Sequence, residues 1–170
     1  MTCYIALLRA VNVGGTGKLP MSELRRLCES VGFCAVQTYI ASGNVILESP
    51  KTAAVVKAEL EDALHTYAGK PVGVLVRTST ELANVLAQNP FPGEAANRTV
   101  AIFLDEPAPA GALEAVRGQV NEKISVGIRE IYVHYGAGMA DSKLRIPAAQ
   151  SGTARNMNTV AKLVALASAR

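Results

Sequence analysis

Apolar positions along this chain change their spacing several times, and each change marks an element. Residues 3–9, CYIALLR, form a near-continuous apolar run that predicts a buried strand. A glycine-rich connection, VNVGGTGK, follows it. From Pro20 the spacing lengthens, and Met21, Leu24, Leu27 and Val31 recur at helical intervals, with Pro20 suited to a first turn and Gly32 to an end. In VQTYIASGNVILES two β-rich runs flank Ser42-Gly43-Asn44, which predicts a hairpin with Gly43 free to take positive φ. Val56, Leu60 and Leu64 lie on one stripe of a long amphipathic helix, and PVGVLV (71–76) predicts a further strand.

The order to that point is β-α-β-β-α-β. TSTELANVLAQ predicts a short capped helix over 80–87. Two prolines and a glycine then make 89–98 a linker between a first subdomain, 1–88, and a second, 99–170, that includes the C-terminal helix. TVAIFLD (99–105) predicts a strand, APAGALEAVRGQV a helix, and ISVGIREIYVHY two strands around Gly127. Pro147 limits any helix in 142–150 to a short piece. A final helix over 158–168 carries Val160, Leu163, Val164 and Ala167 on one stripe. The second half thus repeats β-α-β-β-α at an offset of about 95 residues. Two ferredoxin-like α/β plaits in tandem, an α+β arrangement with mainly antiparallel sheets, satisfy this order. A plait sheet has helices on one face and leaves the other open.

Composition narrows the class. At 170 residues, 49% hydrophobic and 18% charged, the chain has the make-up of a globular protein. The net charge of +3 is too small to argue for nucleic acid, but it is unevenly spread: +2 over 1–30, −3 over 31–140 and +4 over 141–170. If the two basic ends meet, they attract an anion. The apolar start is too short for a signal peptide or a membrane span. Cys3, Cys28 and Cys34 are an odd number without zinc-type spacing, and read as reduced apolar fillers in a cytoplasmic protein.

Few residues suggest chemistry. VNVGGTGKLP fails the phosphate-loop pattern, because Asn12 stands where the first glycine belongs and Leu19 follows Lys18. A weaker reading survives, in which the glycines admit a ligand to the backbone and Lys18 stands beside a helix N-terminus. Ser42 and Asn44 are ordinary turn residues unless other polar groups lie beside them. In TARNMNTV one asparagine suffices to cap the last helix, which leaves Arg155 and a second asparagine for a ligand or for each other. His65 reads as solvated and His134 as a surface or edge residue, and neither has a metal-ligand pattern around it. Cys34 is a nucleophile only if one of these histidines approaches it. No GxSxG elbow is present. The first strand offers only Tyr4 to stack a base, so RNA recognition on the sheet is disfavoured.

YIALLRAVNVGG with KLPMSEL, then TYIASGNVIL, then TARNMNTVAKL resemble the signature blocks of the bacterial family known as domain of unknown function 1697. The resemblance spans essentially the whole chain. It implies tandem ferredoxin-like plaits and supplies no function. The family pattern usually has Trp where this chain has Met157. It picks out Arg9, Asn12, Gly14, Gly15, Ser42, Asn44, Arg155, Asn156, Asn158 and Thr159.

The expected site is a small-anion cradle at the seam of the two plaits. Arg9, Lys18 and Arg155 would hold a phosphate or carboxylate. Asn12, Ser42, Asn44, Asn156 and Asn158 would orient it, and the Gly14 and Gly15 N–H groups would complete the cradle. Two alternatives stand beside it. One is a structural network in which these polar groups satisfy each other. The other is salt-sensitive nucleic-acid binding through the basic ends. No metal or cofactor is implied, no general base stands out, and the oligomeric state is open.

Overall fold

β1 (Thr2–Leu8) lies inside a four-stranded antiparallel sheet ordered β2-β3-β1-β4, with β2 at Cys34–Tyr39, β3 at Asn44–Ser49 and β4 at Val74–Thr78. The computed structural model describes residues 1–12, 18–136 and 138–170. Gly14 and Gly15 lie outside the described residues. A second antiparallel sheet, ordered β6-β7-β5-β8, comprises β5 (Thr99–Phe103), β6 (Lys123–Val126), β7 (Glu130–His134) and β8 (Thr153–Asn156). Four helices accompany the sheets: α1 (Met21–Ser30), α2 (Ala53–Ala68), α3 (Ser79–Ala87) and α4 (Met157–Ser168). Two similar halves of this kind fit tandem ferredoxin-like plaits.

The chain divides into two compact units. The first is Met1–Leu82 with Leu163–Arg170, and the second is Ala83–Lys162. Helix α3 therefore starts in the first unit and ends in the second, and α4 does the reverse. The stretch expected as a linker belongs to the second unit and holds a short 3-10 helix, Ala96–Arg98.

In the first unit, strand alternation sends Tyr4, Ala6 and Leu8 to the helix-covered face. There they join Val45, Leu47, Val74 and Val76 against Leu24, Leu27, Leu60 and Leu64. Burying each large aliphatic side chain contributes roughly 1.5–3 kcal/mol. The helix ends follow their residues. Thr52 Oγ1 accepts from the Val55 N–H at 3.3 Å to start α2, and Gly69 at φ 73° stops it. At the hairpin tip Gly43 has φ 90°, and a Cβ there would stand 2.7 Å from Val11 Cγ2 and 2.9 Å from Leu8 Cβ. Only glycine seats the tip against the end of β1.

The opposite face of this sheet is not open at its centre. Ile5, Leu7, Ile46, Leu75 and Arg77 are all buried.

The second unit keeps the strand plan. Leu7 opposes Asn44 in the first sheet, and Phe103 opposes Glu130 in the second. Ile5 opposes Arg77, and Ala101 opposes Arg155. The cover differs. Val100, Ile102, Leu104, Ile131 and Val133 pack against Ile146 and half-buried Val116, Leu144 and Ala148, from irregular segments and the 3-10 helix Pro147–Ala149. The helix expected over 108–120 does not form. Gly111 (φ 79°) and Gly118 (φ 72°) take left-handed conformations that break it, and Arg117 pairs with Arg145 as an isolated bridge. Gly118 sits so close to Lys143 that a Cβ would overlap that residue's carbonyl. The alanines favour a helix by only tenths of a kcal/mol each, and these contacts outweigh that preference.

Candidate functional site

A cleft of about 660 Å³ lies wholly in the first unit. One wall is the connection after β1, with Arg9, Ala10, Val11, Lys18 and Leu19. A second is the end of α2, with Leu64, Tyr67 and Ala68. The third is the connection into β4, with Lys70, Pro71, Val72 and Gly73. The first and third walls are tied together where the Arg9 N–H donates to Gly73 O at 2.9 Å. Arg9, Lys18, Tyr67 and Lys70 are exposed, and among the described residues the lining contains three cations and no carboxylate.

The turn that directs Arg9 is unusual. Ala10 (φ 54°) and Asn12 (φ 56°) both adopt left-handed backbone around buried Val11. For alanine this costs roughly 1–2 kcal/mol, so the surrounding structure must enforce it. Asn12 does part of that work. Its Nδ2 donates to Leu19 O at 2.9 Å and to Ala41 O at 2.8 Å, and its Oδ1 accepts from the Leu19 N–H at 2.6 Å. One amide thus closes the glycine-rich loop at its base and ties it to the hairpin.

Two helix ends point at the cleft with opposite signs. The start of α1 follows Leu19, and the end of α2 supplies Ala68. Their partial charges, about half a unit each, are of opposite sign and nearly cancel.

The other expected residues are placed as follows. Asn44 is fully buried, and its Nδ2 donates to Tyr39 O at 2.9 Å and to Ser42 Oγ at 3.0 Å, an arrangement internal to the hairpin. In the second unit Arg155 is buried on edge strand β8. Its Nη1 donates to Ala154 O at 2.9 Å and to Thr153 Oγ1 at 3.1 Å. Burial pulls the Arg155 pKa down to about 10, which leaves it charged at neutral pH. Asn156 Oδ1 accepts from the Thr159 N–H at 2.9 Å and caps α4. Asn158 is exposed in the first turn of α4. The cleft therefore brings Arg9 and Lys18 together and adds Lys70, a residue that reads in the sequence as an ordinary basic residue past a helix end.

His134 departs from its expected surface position. It is buried on β7, with Nδ1 3.0 Å from Thr99 Oγ1 and Nε2 3.1 Å from Glu94 Oε2. Thr99 Oγ1 donates to Ala95 O, so the ring N–H is the donor in the Thr99 contact. Lys123 Nζ reaches Glu94 Oε1 at 2.9 Å. The Glu94 carboxyl is held below the usual range, first by Lys123 and then by His134. This cluster pins the segment before β5 onto β7.

The cysteines split. Cys28 is buried filler, as expected, and its thiol is pushed up to about 12 by burial. Cys3 is half-buried, and Cys34 is exposed with Sγ 3.9 Å from Gly32 O. The basic charge of Arg170 is committed within the first unit, to Glu48 Oε2 at 3.2 Å and to Ala35 O. Among the described residues no group of three or more His, Cys, Asp or Glu is arranged to hold a metal ion, and no helix is long and apolar enough to cross a membrane.

Comparison with known proteins places the fold. The chain is similar to the structure of a conserved bacterial protein from Streptococcus pneumoniae, with a TM-score of 0.80 and 23% identity over 98% of each chain. At that identity the likeness speaks for the fold alone. No protein of curated function matches the chain. The family model described as a protein of unknown function (DUF1697) matches residues 1–132, which hold the first two signature blocks, and the chain belongs to that family.

Proposed function

We propose that this protein binds a small phosphate- or carboxylate-bearing molecule in the cleft of its first unit. The observation that carries the reading is three cations, Arg9, Lys18 and Lys70, with no carboxylate among the described lining residues of a partly apolar cleft of about 660 Å³. Clefts of 300–1,000 Å³ with mostly apolar walls and a few convergent polar groups are the usual form of small-molecule sites. Because the cations are exposed, salt screens their attraction, and affinity falls as ionic strength rises. Arg155, Asn156 and Asn158 are assigned here to the strand-to-helix junction of the second unit rather than to the ligand.

The test is isothermal calorimetry with inorganic pyrophosphate at low and high salt, on the wild type and on a variant combining Arg9→Ala, Lys18→Ala and Lys70→Ala. Binding that weakens with salt and disappears in the triple variant supports the reading. Unchanged binding in that variant overturns it.

A structural reading applies to the amides specifically. Asn12, Asn44 and Asn156 each spend side-chain hydrogen bonds inside their own unit. On this reading Asn12→Ala lowers the melting temperature through a loosened loop base, while pyrophosphate contacts are retained.

A further inference from the structure

We infer that the ligand of this cleft joins its anionic group to an aromatic ring, as a nucleotide does, with Tyr67 as the stacking surface. The inference rests on the anion-binding reading and deepens it. Among the chain's eight aromatic side chains, Tyr4, Phe33, Phe103 and Tyr132 are buried and Tyr39, Phe91 and Tyr135 half-buried. Tyr67 alone is exposed, at 41%. That one aromatic lies on the wall of the basic cleft. An exposed tyrosine is unremarkable singly. Its coincidence with Arg9, Lys18 and Lys70 in one cleft is the informative point.

The walls carry the second part of the argument. A bare phosphate or small carboxylate needs only the cations, yet Val11, Leu64, Pro71 and Val72 line the same space. Those surfaces suit a ring with two faces. One face stacks on the Tyr67 phenol, and the other meets aliphatic wall, while the phosphates reach the cations. Tyr67 is one residue before the end of α2 and Lys70 two residues beyond it, so ring and charge are recognised from one short stretch. Base-to-aromatic stacking tolerates every base, because each has a π face.

The experiment compares ADP, inorganic pyrophosphate and adenosine by calorimetry on the wild type, Tyr67→Ala and Tyr67→Phe. ADP is expected to bind the wild type about tenfold or more tightly than pyrophosphate. Tyr67→Phe keeps that ratio. Tyr67→Ala brings it close to one while the pyrophosphate affinity stays unchanged. Equal affinity for ADP and pyrophosphate in the wild type overturns the inference and leaves the anion site standing. So does a Tyr67→Ala variant that preserves the ratio or weakens both ligands alike. Absence of binding by either anion overturns both readings together.

Discussion

β4 and β8 present the same succession twice: an arginine, a capping residue, then a helix. Arg77 and Arg155 are both buried, and each Nη1 donates to the preceding carbonyl, Val76 O at 3.1 Å and Ala154 O at 2.9 Å. Thr78 Oγ1 then accepts from the Glu81 N–H at 3.1 Å while Glu81 Oε1 accepts from the Thr78 N–H at 2.8 Å, a reciprocal capping box. Asn156 caps α4 through Thr159 in the same position. Here the two units are nearly interchangeable. On their other faces they diverge. α1 and α2 cover the first sheet, whereas turns and one 3-10 helix cover the second. The strand plan and the helix junctions are common to both units. The connections differ, and the basic cleft is built from two connections and a helix end of the first unit.

That contrast can be broken at several depths. The largest expected effect is at alkaline pH. The Cys28 thiol, buried between α1 and the first sheet, is raised from 9.0 to about 12. A raised group contributes stability that is whole below its unfolded pKa and is lost as pH rises through the folded one. Stability should therefore fall between about pH 9 and pH 12 by about 4 kcal/mol for this group. Urea unfolding followed against pH on the wild type and Cys28→Ala measures it, and an equally steep alkaline loss in Cys28→Ala would assign the effect elsewhere. Tyr132 in the second unit, pushed up to about 12 by burial, adds a loss of the same sign.

Next in size is the helical cover itself. Leu60→Ala, at a fully buried position of α2, should cost about 3 kcal/mol. Val116→Ala, in the looser cover of the second sheet, should cost about 1 kcal/mol, because a half-buried site loses less area. Equal costs in denaturant melts would mean that the non-helical cover packs as tightly as the helices do.

His134→Ala removes the contacts to Thr99 and Glu94 and should cost about 1–3 kcal/mol, since Thr99 is left buried with one partner fewer. Increased protease cleavage within 89–98 would show that the segment before β5 has come loose. The smallest effect tests the shared junction. Thr78→Ala and Asn156→Ala should each cost about 1 kcal/mol, and similarly, because each removes one cap. A difference well beyond that would show that the two junctions are alike in geometry but not in energy.

The strands and the helices of the first half were legible because period-2 runs and the Leu24–Leu27 and Leu60–Leu64 stripes each bury one continuous face. The segment around 108–120 was not. Ala and Leu there favour a helix locally, while the close approach of Gly118 to Lys143 is a contact between distant residues that no window contains. Strand β8 was hidden for a related reason: TARN is only four residues long and is recognised by its pairing with β5. His134 read as surface because its partners, Glu94 and Thr99, lie at least 35 residues away in sequence. Of the cleft's lining, Arg9 and Lys18 were picked out from the glycine-rich loop between them. Lys70 and Tyr67 were not, because their significance comes from a connection folding back across the end of β1.

The helix α4 that begins in one unit and ends in the other has a consequence in time. Leu82 leaves the ribosome long before Leu163, and the segment that completes the first unit comes only after the whole of the second has been made. At roughly 5–20 residues per second, the roughly 80 intervening residues take about 4–16 s to synthesise. For that interval the first unit is without its last segment. Silent codon changes that slow synthesis of 83–162 should therefore lower the yield of folded protein more than the same changes placed within 1–82.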